Sequence, residues 1–313
     1  MSYAKGPHDL GRGAFAWLVP SGHWGQSNSG LVRGEGESLL VDTLYDLAHT
    51  REMLDGYAPL TVEHPIRTVV NTHSDGDHWF GNQLVGGDGV EIIASAAAAA
   101  TMTQHAVDEM VGLHERDGHI GEFIRPISVG FDMHGIVATP PTRTFSGRLV
   151  LDVGGREVHL IEVGPAHTAG DVLVHVPEAG VVYTGDIVFN GGAPLVWTGP
   201  ISRCIAALDQ VLALEPDVVV PGHGPLTDDT AVRRVRAYLE HVAVEATAHF
   251  RAGLSVEEAV SAIDLTPFAD MTEQERIAAN VLNVYEELDP TRPRSDRLEQ
   301  FSRIAAYDAG VRR

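Results

Sequence analysis

The chain has 313 residues, 44% of them hydrophobic, and a formal net charge of −21. A chain this long buries roughly 75% of its unfolded surface, so one large domain or two smaller ones are possible. The acidity and the lack of a basic run argue against nucleic acid or an anionic membrane as partner. No stretch reaches the ~18 uninterrupted apolar residues of a membrane span. Met1 to Gly13 shows no basic start followed by an apolar run. The single cysteine, Cys204, excludes an internal disulfide, and a cytoplasmic compartment is expected.

In chain order, Ser21–Asn28 reads as a loop between two strands near the N-terminus. Short β-branched runs bounded by Gly, Asp and Pro then recur: Ser38–Val41, Thr68–Asn71, Glu91–Ala94, Arg148–Leu151, Glu157–Glu162, Val172–Val176, Val181–Tyr183 and Val218–Val220. Length and flanks mark each as a strand. Helical segments are expected at Asp46–Tyr57, Ala96–Asp117 and Ser202–Leu214. The runs from Arg148 to Tyr183 follow one another as antiparallel strands do. This order suits an α/β protein with mixed sheets packed against helices. After Pro225 only helical periodicity remains, over Thr230–Ala252, Ser255–Ile263, Thr272–Leu288 and Ser295–Asp308. Thr227 or Asp228 is placed to cap the first of these, and Thr272 with Glu275 spells a capping box before the third. The expected division is a catalytic part, 1–226, and a helical C-terminal extension, 227–313. The extension either completes the fold or serves as a substrate cover or dimer face.

The segment Asn71-Thr72-His73-Ser74-Asp75-Gly76-Asp77-His78 places four ligand-type side chains within six residues. It follows the apolar run Arg67–Val70, and a loop at a strand end can aim several side chains at one point. Imidazole and carboxylate are the ligands that zinc, iron and manganese accept. Gly76 is expected to give the loop freedom to fold. A solvated polar turn is the plain alternative for this segment alone. Three later segments repeat the design of strand, small-residue turn and ligand: Gly164-Pro165-Ala166-His167, Tyr183-Thr184-Gly185-Asp186 and Pro221-Gly222-His223-Gly224.

Taken together, H-x-D-x-D-H, H-T-A-G-D, G-D and G-H-G resemble the signature of the metallo-β-lactamase superfamily, over about Leu39 to Gly224. The resemblance implies an αβ/βα sandwich with a two-metal site at one edge of its two sheets. It implies that His73, Asp75 and His167 hold one metal, that Asp77, His78 and His223 hold the second, and that Asp186 bridges them. Asp42 would support the metal loop without ligating. Asp75 and Asp77 are the candidate catalytic carboxylates. Asp75 stands where the family usually has His. A carboxylate there makes the site harder, so iron or manganese suits it as well as zinc, the first expectation. Alternatively Asp75 does not bind, and only one site fills well.

Such a centre implies hydrolysis of an ester, thioester, lactone or lactam. The chain has no G-x-S-x-G elbow, and Cys204 reads as packing. Trp24, Phe189 and Trp197 are substrate-pocket candidates, because their loops adjoin the ligand segments. Trp79 and Phe80 are expected in the core. The histidines from His105 through His114 and His119 to His134 are either surface residues or part of a lid. The spelling H-S-D-G-D-H and the segment G-A-P-L-V-W-T-G-P resemble the cyclases/thioesterases of bacterial aromatic polyketide pathways. That branch implies ring closure and thioester cleavage on a small-molecule or acyl-carrier-protein-bound substrate. A general hydrolase of the same fold, a diiron redox enzyme and a non-catalytic binding protein are the rival readings. A homodimer is compatible with all of them.

Overall fold

The structure is a computed structural model that describes residues 3–87 and 89–311. Among these residues the strands form two sheets. In the first, β1 (Gly6–Gly11), β2 (Ala14–Leu18), β3 (Ser29–Arg33), β4 (Ser38–Val41), β5 (Ile66–Val70), β6 (Glu91–Ser95) and β7 (Arg143–Phe145) lie in sequence order. Pairing is antiparallel from β1 to β4 and parallel from β4 to β7. In the second sheet β8 (Arg148–Val153), β9 (Arg156–Glu162), β10 (Val172–Val176) and β11 (Val181–Tyr183) are antiparallel, and β12 (Val218–Val220) runs parallel to β11. The expected strands are all present, within a few residues at their ends.

The two sheets face each other through alternating side chains, the period a strand imposes. Ala14, Ala16 and Leu18 of β2 and Val32 of β3 meet Val158, Leu160, Val172 and Val174 of the second sheet. The intervening residues Phe15, Trp17 and Leu31 point outward against Met53 and Tyr57 of α1 (Leu47–Thr61). On the far side Leu173, Val182 and Val219 share a core with α5 (Ile201–Ala213) and α6 (Asp229–Arg251). Both faces of the central strands are thus covered, which is why they read as continuous apolar runs.

The helices differ more from expectation. The stretch 96–117 is broken into α2 (Ala96–Ala99) and α3 (Gln104–His114). Thr103 accepts from the Ala106 N–H and so starts a new helix in mid-run. A further helix, α4 (Gly118–Ile127), was not expected. Asp228 caps α6, as read, and Ser255 with Glu258 forms a capping box on α7 (Val256–Ala262). The Thr272–Glu275 box does not form. Thr272 Oγ1 donates to Gly191 O, Glu275 accepts from the Trp24 indole, and α8 starts only at Ile277 (Ile277–Leu288). The last helix is α9 (Arg297–Val311).

Helix α8 is buried from Ile277 to Glu286. On an element buried all round a polar side chain is costly unless it is paired. Asn280 meets that condition: its Oδ1 accepts from Val196 N at 2.9 Å and its Nδ2 donates to Pro194 O at 2.8 Å. These bonds fix the loop that precedes Trp197. Asn280→Ala should leave both loop groups buried and unpaired, at roughly 1–3 kcal/mol for each. Chemical denaturation should show a lower midpoint at unchanged slope; an unchanged midpoint would contradict this role for Asn280.

Candidate metal centre

The loops that follow β4, β5, β11 and β12, with the loop between β9 and β10, open at one edge of the sandwich. Open sheets place ligand sites outside the carboxyl ends of their strands. The registers Val41↔Val70 and Tyr183↔Val220 put Asp42 beside the His73 loop and Asp186 beside the His223 loop. A bond from Val172 N to Thr72 O, 2.8 Å, ties the two sheets together there.

Asp42 organises the first loop from a left-handed backbone conformation, φ 60°. Its carboxylate accepts from Thr72 N (2.7 Å), Thr72 Oγ1 (2.7 Å) and His78 Nδ1 (2.9 Å). Because Thr72 Oγ1 gives its proton to Asp42, His73 Nδ1 donates to that oxygen at 3.0 Å. His73 and His78 therefore both turn an Nε2 lone pair toward the same point. His167 does likewise, since its Nδ1 donates to Leu195 O at 2.6 Å.

All seven side chains expected from the motifs meet there. Asp186 is central: its oxygens lie 3.2 Å from His78 Nε2, 3.4 Å from His167 Nε2 and 3.4 Å from His223 Nε2. His73, Asp75 and His167 form one ligand triad, Asp77, His78 and His223 a second, and His73, His78 and Asp186 a third between them. Within each triad the ligand atoms lie within 4.8 Å of one another. His73 Nε2, His78 Nε2 and Asp186 Oδ1 are buried without hydrogen-bond partners. Buried polar atoms are rarely left so, and here they converge on one point that a cation would satisfy. The donor set thus fits metal ions. Gly222 lines this point, and a Cβ there would lie 1.9 Å from Asp186 Oδ1. Gly76 is required for space and not for loop freedom: its Cβ would lie 2.5 Å from the Phe80 ring.

The electrostatics show what the cluster does without a cation. Burial and the neighbouring His78 push His73 down to about 3. Burial also opposes charge on His223, but Asp186 and Asp77 outweigh it and raise that imidazole to about 9. Against burial, His78 is raised by Asp186, Asp77 and Asp42, and His167 by Asp75 and Asp186. Asp186 is held well below the usual carboxylate range by His223 and His78, although burial opposes this.

The description "Metallo-beta-lactamase superfamily" matches residues 22–223. The chain belongs to that superfamily. It is 25% identical over 198 residues to the 2,4-dinitroanisole O-demethylase subunit alpha of Nocardioides sp. (strain JS1661), covering 61% of this chain and 51% of that one. It is 26% identical over 235 residues to an acyl-coenzyme A thioesterase of Gallus gallus, covering 68% of this chain and 78% of that one. In fold it is similar to the stereoselective inverting sec-alkylsulfatase Pisa1 from Pseudomonas sp., with a TM-score of 0.67 and 18% identity over 90% of this chain and 50% of that one. The chain thus spans about half the length of the first and third of these proteins.

Within this metallo-β-lactamase-fold site, residues outside the motifs matter. Asp75 Oδ1 pairs with Arg297 Nη2 of α9 at 2.9 Å, and Trp197 Nε1 donates to Asp75 Oδ2 at 2.9 Å. Arg297 lies 222 positions from Asp75, in a tail that reads only as an amphipathic helix, so no local pattern marks it. The loop bearing Trp24 is fastened by the C-terminal part as well. Glu273 accepts from His23 Nδ1 and Trp24 N, while buried Arg276 lies over Trp24 (4.4 Å) and Phe189 (4.8 Å).

Above the ligands opens a pocket. Asp75, Asp77, Asp186, His167 and His223 lie at its floor, and Trp24, Met110, Ile124, Ile127, Trp197 and Phe301 are its apolar walls. Phe189 stacks on His223 with ring centroids 5.3 Å apart. The three pocket candidates therefore line it, and α3, α4 and α9 form the cover. Of the histidines in the 105–134 stretch, only His114 lines this pocket, while His105, His119 and His134 are exposed. Trp79 and Phe80 are in the core, and Cys204 is buried in α5.

Metal uptake should release protons, because His223 stays protonated to about pH 9 until a cation replaces its proton. Apparent affinity should therefore fall as pH drops below that value, by roughly tenfold per pH unit for each proton displaced. Titration calorimetry at pH 7.5 in buffers of different ionisation enthalpy counts these protons. Finding none released would contradict the charge state described.

Proposed function

We propose that this protein hydrolyses a thioester with a bulky apolar acyl group at a dinuclear metal centre. The observation that carries the reading is the apolar, aromatic pocket whose floor is the ligand cluster. The similarity to a relative named as an acyl-coenzyme A thioesterase supports it. Divalent ions held by His73, Asp75, His167, Asp77, His78, His223 and Asp186 would supply Lewis acidity and bring the pKa of water near neutrality. Zinc is the first expectation, with iron or manganese compatible with the three carboxylates.

The chain's own residues supply the rest. Trp24, Trp197 and Phe301 bury the acyl group and direct its carbonyl toward the floor. Their apolar surface also keeps bulk water from the reacting carbon, which strengthens the electrostatics at the floor. Asp77 is the carboxylate placed to take the proton released as water adds to that carbon. The C–S bond then breaks, and the thiolate leaves as a thiol once protonated.

The narrower reading is an aromatic polyketide intermediate that is cyclised and released from its carrier. It rests on the H-S-D-G-D-H and G-A-P-L-V-W-T-G-P spellings, and an aromatic pocket suits such a substrate. At saturating metal, a long-chain or aromatic acyl thioester should be cleaved with kcat/KM at least roughly tenfold above a β-lactam, a phosphodiester or an alkyl sulfate. Equal or faster turnover of any of those classes would overturn the thioester reading. Trp24→Ala should raise KM for a long acyl chain far more than for acetyl, with a loss of roughly 1–3 kcal/mol of binding. A chelator should abolish turnover and single-metal restoration should recover it. Full activity of rigorously metal-free protein would refute the metal centre itself.

A further inference from the structure

Asp75 is a ligand that its own loop does nothing to orient. It precedes the 3-10 turn Gly76–His78 in extended backbone, and its side chain caps no N–H there. A histidine ligand is steadied through its second ring nitrogen, as His167 is by Leu195 O. A carboxylate has no such N–H. Its free oxygen needs a donor from elsewhere, and α9 brings one: Arg297 Nη2, 2.9 Å from Asp75 Oδ1.

We propose that Arg297 is a positioning residue for the first metal subsite, fixing Asp75 so that its carboxylate completes the His73–His167 pair. The guanidinium is itself placed. It lies 4.2 Å over the Trp197 ring, whose Nε1 holds the other oxygen of Asp75. Gln300, one turn along α9, donates to Trp197 O at 2.8 Å. Phe301, Ile304 and Ala305 anchor the helix in the core. With His167 Nε2 3.1 Å from Asp75 Oδ2, three side chains surround this carboxylate, and the two that lie outside the ligand set are placed by one helix.

A guanidinium also repels a cation, so the sign of its effect must be decided. The Arg297 side chain is 37% exposed. Solvent screens its field at that exposure, which limits the repulsion. Loss of an outer-shell partner typically costs roughly 10–100-fold in metal affinity. Orientation outweighs repulsion, and the first subsite depends on α9 while the second does not.

The inference rests on the metal-centre reading and is independent of the thioester substrate, because its test contains no substrate. Metal-free wild type, Arg297→Met and Trp197→Phe are titrated with Zn²⁺ against a competing chelator. Far-UV circular dichroism and unfolding of the metal-free proteins serve as controls. Wild type should take up two ions. Arg297→Met should bind one of them roughly 10–100-fold more weakly and leave the other unchanged, and Trp197→Phe should weaken the same ion. In a His223→Ala background, which retains the first subsite intact, adding Arg297→Met should weaken the ion that remains. Unchanged affinities, a parallel loss at both subsites, or tighter binding in Arg297→Met would overturn the proposal. Absence of any metal binding in wild type would instead overturn the metal-centre reading.

Discussion

The buried carboxylate of Asp186 meets three imidazoles within 3.4 Å, and the rest of the site follows from how that charge is compensated. An unpaired buried charge costs several kcal/mol, so the cluster either takes up protons or takes up cations. In the metal-free protein His78, His167 and His223 are raised while His73 is forced neutral. His73 Nε2 is left without a hydrogen-bond partner, a lone pair that a cation would satisfy.

That compensation depends on support one layer further out. Asp42 sets the tautomers of His73 and His78 through Thr72, and Leu195 O sets that of His167. Leu195 lies in a loop whose backbone is held on either side by Asn280 of α8. The C-terminal helices therefore act on the centre twice, through Asn280 and through Arg297. The apolar core that includes Leu113 in α3 continues without a break to Ala305 in α9. The same helices give the pocket its cover, so the chemistry at its floor and the apolar selection at its walls share one scaffold.

Much of the site was legible because its signal is local. Each ligand segment is a β-branched run, a small-residue turn and a polar side chain, and strand ends carry that pattern in the sequence. The strands were legible for the same reason, since burial on both faces leaves uninterrupted apolar runs. Helix limits were less so. Alanine-rich 96–117 reads as one helix, yet Thr103 captures a backbone N–H and restarts it. The Thr272–Glu275 spelling failed because both side chains found tertiary partners, Gly191 O and the Trp24 indole.

The amino-acid sequence by itself marked the strands and the ligand-type side chains at their ends, because strand period and turn residues act over a few positions; that the seven face one another was implied by the resemblance of the combined motifs to a family. Only the tertiary structure decided how Asp75 is held, why Gly76 must be glycine, and which helices cover the pocket. Those outcomes depend on contacts between segments up to 222 positions apart, where proximity is set by packing of the whole chain and leaves no local pattern to read.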